Sequence, residues 1–242
     1  LSILAGANDY MHTQPIRAFQ EPAMPLKLYA HPFSSYCQKV LITLYENDTP
    51  FEFRMLAMND AEATTELEGL WPFKKFPVLT DGDHSIKEAS IIVEYLDLHY
   101  PGRTRMIPAD PKAALEVRFM DRFFDNYVMT PQGKLVFDLI RSEENRDRQG
   151  VTEAKQTLDI SYKWLDGVMK DRRWATGDVF TLADCAAAPA LFYADWSYPI
   201  DEEFTHVHAY RQRLLAHPAF ARAVDEARPF RKFFPGGAPE RD

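Results

Sequence analysis

In His31-Pro32-Phe33-Ser34-Ser35-Tyr36-Cys37-Gln38, two hydroxyls and a thiol stand where a turn enters an amphipathic segment. A dithiol redox site would place cysteine at both ends of the tetrad 34–37; here Ser34 is first and Cys37 fourth. The amino end of a helix exposes unpaired N–H groups and a partial positive charge, so it stabilises an anion. A hydroxyl at that point can donate to a bound thiolate and activate a sulfur that the protein does not supply. The same serine also serves as a plain N-cap. Cys37 falls one turn inside the helix, where a buried structural thiol is expected.

Two further stretches have chemistry-bearing residues. Trp71-Pro72-Phe73-Lys74-Lys75-Phe76-Pro77-Val78-Leu79 places a proline at the entry of a strand, where it removes a ladder donor. A cis peptide bond there makes a sharp turn and would leave the backbone of Val78 open to an extended peptide. A trans proline on an edge strand is the other reading. In Lys87-Glu88-Ala89-Ser90-Ile91, a carboxylate and a hydroxyl open a helix. Glu88 would hold a ligand's ammonium and the helix N–H groups its carboxylate; the alternative is a simple capping segment. His206 and His208 lack partners at a metal-ligand spacing, so no metal site is expected.

Elements that position these residues follow from periodicity. Leu26 to His31 alternates as a strand, and Val40, Leu41, Leu44 and Tyr45 recur at helical spacing. A strand at 51–56, a helix at 60–70, a hairpin over 76–87 turning at Asp81-Gly82-Asp83, and a helix at 88–100 give the order β-α-β-α-β-β-α. Pro101-Gly102 stops that helix. Beyond Pro108-Ala109-Asp110-Pro111 the pattern is helical only: 112–130, 153–170, 181–196, 203–216 and 218–226. The charged segment 141–149 is expected to be a solvated loop.

The chain has 242 residues and a formal net charge of −8, which argues against sequence-independent nucleic-acid binding. No apolar run approaches the roughly 18–20 residues of a membrane helix. The two cysteines, far apart in sequence, are expected to be reduced thiols in a cytoplasmic protein. Residues 1–23 lack a sustained period and are set aside as an extension preceding Met24-Pro25-Leu26-Lys27.

A strand, SSYC at a helix start, PFKKFPVL and KEASIIVEYLD, in this order and spacing, resemble the amino-terminal half of the soluble glutathione transferases. In the carboxyl-terminal half, Asp178-Val179-Phe180-Thr181-Leu182-Ala183-Asp184 resembles that family's capping box and hydrophobic staple. The resemblance implies a thioredoxin-like domain over 24–101 and an all-α domain over 111–235. It implies glutathione as co-substrate, with Ser34 as the thiol-activating hydroxyl of a serine-type, bacterial-type member and Ser35 as its neighbour. Lys75 would reach the glycyl carboxylate, and Phe76, Pro77 and Val78 would hold the cysteinyl backbone, Val78 by its own main chain. Glu88, Ala89 and Ser90 would face the γ-glutamyl group. The family's Glu-Ser pair is Glu88-Ala89 here, so a hydroxyl is missing unless Ser90 supplies it. Tyr29 lies near the catalytic tyrosine of the tyrosine-type classes, but a packing role is expected.

A small hydrophobic electrophile is expected between the domains, against Phe33, Phe123, Tyr127, Met129, Tyr193 and Trp196. The family implies a homodimer with no nucleic-acid or membrane partner. Two other functions stay open: glutathione-dependent reduction of disulfides or peroxides using Cys37, and a non-catalytic scaffold that keeps the fold.

Overall fold

The computed structural model describes residues 26–57 and 59–242, so the extension at 1–23 lies outside the described residues. Strand β1 (Lys27–Ala30) leads into helix α1 (Ser35–Glu46), β2 (Glu52–Met55), α2 (Ala61–Leu70), β3 (Val78–Asp81), β4 (His84–Lys87) and α3 (Ala89–His99). The sheet order is β2-β1-β3-β4. β1 runs parallel to β2 and antiparallel to β3, which pairs antiparallel with β4. The crossover through α1 is what allows the parallel pair. This is the thioredoxin-like half the sequence implied.

α1 begins at Ser35 because Ser34 is extended and its hydroxyl accepts from the Cys37 N–H at 3.5 Å. Gly102 does not act as a left-handed cap. A Cβ there would lie 2.3 Å from the Asn47 side chain, so glycine is needed for close approach. Asn47 in turn bonds both the N–H and the C=O of Thr104, fastening the connector to the end of α1.

The second half is helical: α4 (Pro111–Phe123), α5 (Thr130–Leu139), α6 (Arg148–Met169), α7 (Leu182–Ser197), α8 (Thr205–Leu215) and α9 (Pro218–Ala227). Two readings need correction. The segment at 141–149 is not all loop: it holds a 3₁₀ turn at Glu143–Asn145, and Asp147 caps α6 by accepting from the Gly150 N–H at 2.9 Å. Nor does Pro131 end the first long helix. α4 passes through a π-helical turn, Phe124–Met129, into α5. Pro131 has no N–H for the carbonyl four residues back, that of Tyr127. The Ser161 hydroxyl lies 2.9 Å from that carbonyl and 2.7 Å from the Thr157 carbonyl, and shares its one proton between them.

Helix α7 is buried along Leu182–Trp196 and forms the centre of the helical domain. Its amino end carries the expected box: Asp184 accepts from the Thr181 N–H at 3.0 Å, and also from the Ala175 N–H at 2.8 Å and the Tyr210 hydroxyl at 2.6 Å. α1 packs on α7 and on α3, so one apolar core runs through both halves.

A full charge lies inside this packing. Lys39, on α1, is 1% exposed. Its ammonium donates to Asp121 at 2.8 Å, Asp125 at 2.6 Å and the Ser90 hydroxyl at 3.3 Å. Arg122 closes the cluster from the cavity side through Asp121, Asp125 and Ser90. Burial opposes ionisation of Asp121, but Lys39 and Arg122 outweigh it and hold that carboxyl below the usual range. Asp125 is raised, by burial and by the neighbouring Asp121 charge, against the pull of Lys39.

Beyond α9, the 3₁₀ turn Arg228–Phe233 folds back over the start of α1. Phe230 meets the His31 ring edge-on at 4.7 Å, and Phe234 packs on Phe33, Tyr193 and Trp196. The His31 Nδ1 accepts from the Phe33 N–H at 3.1 Å.

Replacing Lys39 by Ala should destabilise the fold by about 3–5 kcal/mol, because two carboxylates would be left buried without their cation. Denaturant unfolding measures this; a loss under about 1 kcal/mol would show that the cluster is solvated. A second expectation concerns pH. Burial holds the His31 pKa below 6.5, so the folded chain binds fewer protons there than the unfolded chain. Its contribution is complete above the unfolded pKa and is lost as pH falls through the folded one. Between about pH 7.5 and about pH 5, wild type should therefore lose stability relative to His31→Gln. Parallel curves would contradict it.

Candidate functional site

A cavity of about 270 Å³ opens at the seam of the two halves. Trp71, Lys75, Phe76, Pro77, Glu88 and Ala89 border it from the sheet side, and Tyr36 from the first turn of α1. Arg122, Asp125 and Asn126 border it from the helical domain.

Local geometry explains who reaches it. The Phe76–Pro77 peptide is cis. Phe76, before it, is 39% exposed and lies on the cavity, whereas Val78, after it, is fully buried. Val78 is paired in register with Tyr29 on one side and Lys87 on the other. The expectation that Val78 presents its main chain to a ligand is corrected accordingly: an interior strand leaves it no open edge.

Glu88 sits at the N-cap of α3 with φ +69° and makes no side-chain cap bond, so its carboxylate remains available. A positive φ in a non-glycine residue costs about 1–3 kcal/mol; Asp48 and Lys74 share it. Ala89 is buried at the first position of α3, where helix N–H groups lack intrahelical acceptors. Lys75 is exposed and forms no ion pair among the described residues. The indole N–H of Trp71 is buried with no partner among the described residues. Surrounding protein and the Asp125 charge push the Tyr36 phenol up to about 12, so it stays a neutral donor at pH 7.

Of the predicted glutathione residues, Lys75, Phe76, Pro77, Glu88 and Ala89 meet at this cavity, while Ser34, Ser35, Val78 and Ser90 do not border it. Ser34 stands two residues before Tyr36, half-buried at the amino end of α1. Accepting the Cys37 N–H uses a lone pair of its oxygen and leaves the O–H proton to donate. Ser90 is corrected: its hydroxyl donates to Asp121 at 2.8 Å and accepts from Lys39 and Arg122, so it is committed to the domain seam.

The predicted hydrophobic set divides in two. Phe33, Tyr193 and Trp196 form one aromatic group under Phe234. Phe123 stacks with Tyr127 and Trp164 in another. Tyr193, Trp196, Phe123 and Met129 are at most 8% exposed, so they serve chiefly as core. Phe33 remains the member beside Ser34.

Sequence reasoning missed Tyr36, Trp71, Arg122, Asp125 and Asn126. A signal existed for Arg122 and Asp125: with Asp121 they set three charges among Phe119, Met120, Phe123 and Phe124, and Lys39 interrupts the apolar positions of α1 in the same way.

Tyr29, packed against Leu67 and Val78, is 7% exposed, as expected of a packing residue. Cys37 is fully buried, and burial pushes its thiol up to about 12. Among the described residues no helix is long and apolar enough to cross a membrane.

Comparison with known proteins agrees with this architecture. Residues 28–104 match the family profile described as glutathione S-transferase, N-terminal domain, and residues 128–218 the one described as glutathione S-transferase, C-terminal domain. A glutathione S-transferase of Hyoscyamus muticus is 27% identical over 209 residues, covering 84% of this chain and 99% of that protein. A glutathione S-transferase of Methylobacterium radiotolerans, solved in complex with glutathione sulfonate, is 26% identical with a TM-score of 0.72, covering 82% of this chain and 94% of that one. One from Methylobacillus flagellatus with glutathione bound has a TM-score of 0.75 at 24% identity, covering 82% of this chain and 98% of that one, a likeness of fold. With a thioredoxin-like half and a helical half each matched in order, the chain belongs to the soluble glutathione S-transferase superfamily.

Proposed function

We propose that this protein is a glutathione transferase of the serine type, binding glutathione at the seam cavity and activating its thiol with Ser34. The observation that carries the reading is the charge layout of the cavity. Glutathione is a tripeptide with an ammonium and a carboxylate at one end and a second carboxylate at the other. Glu88 suits the ammonium, the amino end of α3 at Ala89 suits the neighbouring carboxylate, and Lys75 suits the glycyl carboxylate. Phe76, on the same cavity, is where the cysteinyl unit would pass.

The thiol then points toward the first turn of α1. Ser34 donates its hydroxyl proton in a hydrogen bond to the sulfur, and the helix field favours the anion. The thiol proton leaves to solvent. The thiolate electron pair forms a carbon–sulfur bond to an electrophile held beside Phe33, and the displaced group or the polarised double bond takes the departing electrons. An exposed apolar face of Leu115, Phe119, Ile160 and Trp164 on α4 and α6 supports a dimer as part of this reading. Burial and the high pKa of Cys37 support transfer chemistry over disulfide reduction through a protein thiol.

Ser34→Ala should keep glutathione affinity within about threefold by calorimetric titration while turnover of a model aryl halide falls about 100-fold or more. Full turnover in the variant would remove Ser34 from the mechanism. No binding by wild type at millimolar glutathione would favour the scaffold reading. Native protein should react slowly with an aromatic disulfide reagent, and both cysteines should react once it is unfolded. Rapid labelling of Cys37 would revive the redox reading.

A further inference from the structure

Ala89 leaves a specific deficit. The resemblance implies a hydroxyl at position 89 facing the ligand's α-carboxylate; Ala89 has a methyl group there, and the Ser90 hydroxyl is bound to Asp121, Lys39 and Arg122. The amino end of α3 alone must then offset the cost of desolvating a carboxylate.

The cavity wall opposite supplies a stronger donor. Arg122 comes from α4, in the other domain, and borders the same cavity as Glu88 and Ala89. Its side chain is 50% exposed. The guanidinium is held from behind: Nε donates to Asp121 at 3.1 Å, and Nη2 donates to Asp121 at 2.7 Å, to Asp125 at 2.6 Å and to Ser90. Nη1 has no hydrogen-bond partner among the described residues. A guanidinium fixed on one edge and unpaired on the other is pre-organised to accept a carboxylate, so little side-chain entropy remains to be lost. Its anchors are themselves fixed, because Lys39 bonds both aspartates from the buried side. Asp125, bonded to this arginine, and Glu88, on the same cavity, supply the negative charge that an ammonium adjacent to the carboxylate would need.

We propose that Arg122 replaces the hydroxyl missing at position 89 as the receptor for the ligand's α-carboxylate, so that the γ-glutamyl pocket is completed by the helical domain. This rests on the glutathione reading and deepens it. The site would select thiols that carry a free α-amino acid group, and the helical domain would contribute to glutathione recognition as well as to the electrophile side.

The test is a ligand–protein cycle by calorimetric titration. The ligands are glutathione and 4-aminobutyryl-cysteinyl-glycine, which lacks only the α-carboxylate. The proteins are wild type, Arg122→Gln, Arg122→Lys and Arg122→Gln/Ala89→Ser, each checked for an unchanged circular dichroism spectrum. Wild type should prefer glutathione by about tenfold or more, as one charge-assisted contact requires. Arg122→Gln should bind glutathione about tenfold more weakly, bind the analogue within about twofold of wild type, and raise KM for glutathione far more than it lowers kcat. Arg122→Lys should retain part of the preference. Adding Ala89→Ser to Arg122→Gln should restore part of the lost glutathione affinity without affecting the analogue. If Arg122→Gln weakens both ligands equally, or leaves both unchanged, Arg122 only braces the seam and the assignment is overturned while the glutathione site stands. If wild type binds neither ligand, the glutathione reading fails and this assignment fails with it.

Discussion

Lys39 is the constraint around which the other features are arranged. A fully charged ammonium in the middle of α1 is tolerated only with partners close enough to offset its loss of hydration. Asp121 and Asp125 come from the end of α4 and the π turn, and Ser90 from the first turn of α3. Satisfying one cation thus fixes three elements of two domains against one another. Each aspartate then needs more than half an ammonium can give, and Arg122 completes both from the solvent side. Apolar packing alone would hold the halves together, but it would not specify this register.

The cavity is a consequence of the same register. It lies where the sheet's Phe76–Pro77 turn and the start of α3 face Arg122, Asp125 and Asn126. Arg122, Asp125 and Asn126 stand at i, i+3 and i+4, on one face of the helix. The π turn Phe124–Met129 carries Asp125 and Asn126 and leads into α5. Single-turn π insertions are frequent at functional sites. Ionic groups of both signs crowd one small opening, as recognition of a zwitterion requires, while the aromatic residues around Phe33 lie on the Ser34 side.

Much of this was legible in the sequence where local rules dominate. Strands and helices of the first half follow apolar period and turn chemistry, and Ser34 and Thr181 cap the helices they precede, whereas the capping roles of Asp60 and Asp110 come from the structure. The cis turn and Glu88 were legible only through the resemblance, since their residues taken alone also fit a trans edge proline and a helix cap. What could not be read depends on contacts across long sequence separations. The continuation of α4 past Pro131 brings the Tyr127 carbonyl to a hydroxyl at residue 161. The roles of Ser90 and Arg122 depended on a lysine more than 50 residues earlier in the chain. Aromatic residues were the least informative: at helical spacing Tyr193 and Trp196 look the same as core or as substrate wall, and only their burial decides.

The central claim is that the start of α1 stabilises a thiolate belonging to a bound tripeptide. Ultraviolet difference spectroscopy of the thiolate band, titrated over pH with saturating glutathione, addresses it without needing an electrophile. The account predicts a thiolate signal with an apparent pKa at least about one unit below the roughly 8.5 of a free cysteine thiol. Since neither Cys37 nor Cys185 is exposed, a signal that appears only with glutathione belongs to the ligand. Binding with an unshifted thiol pKa would contradict the account.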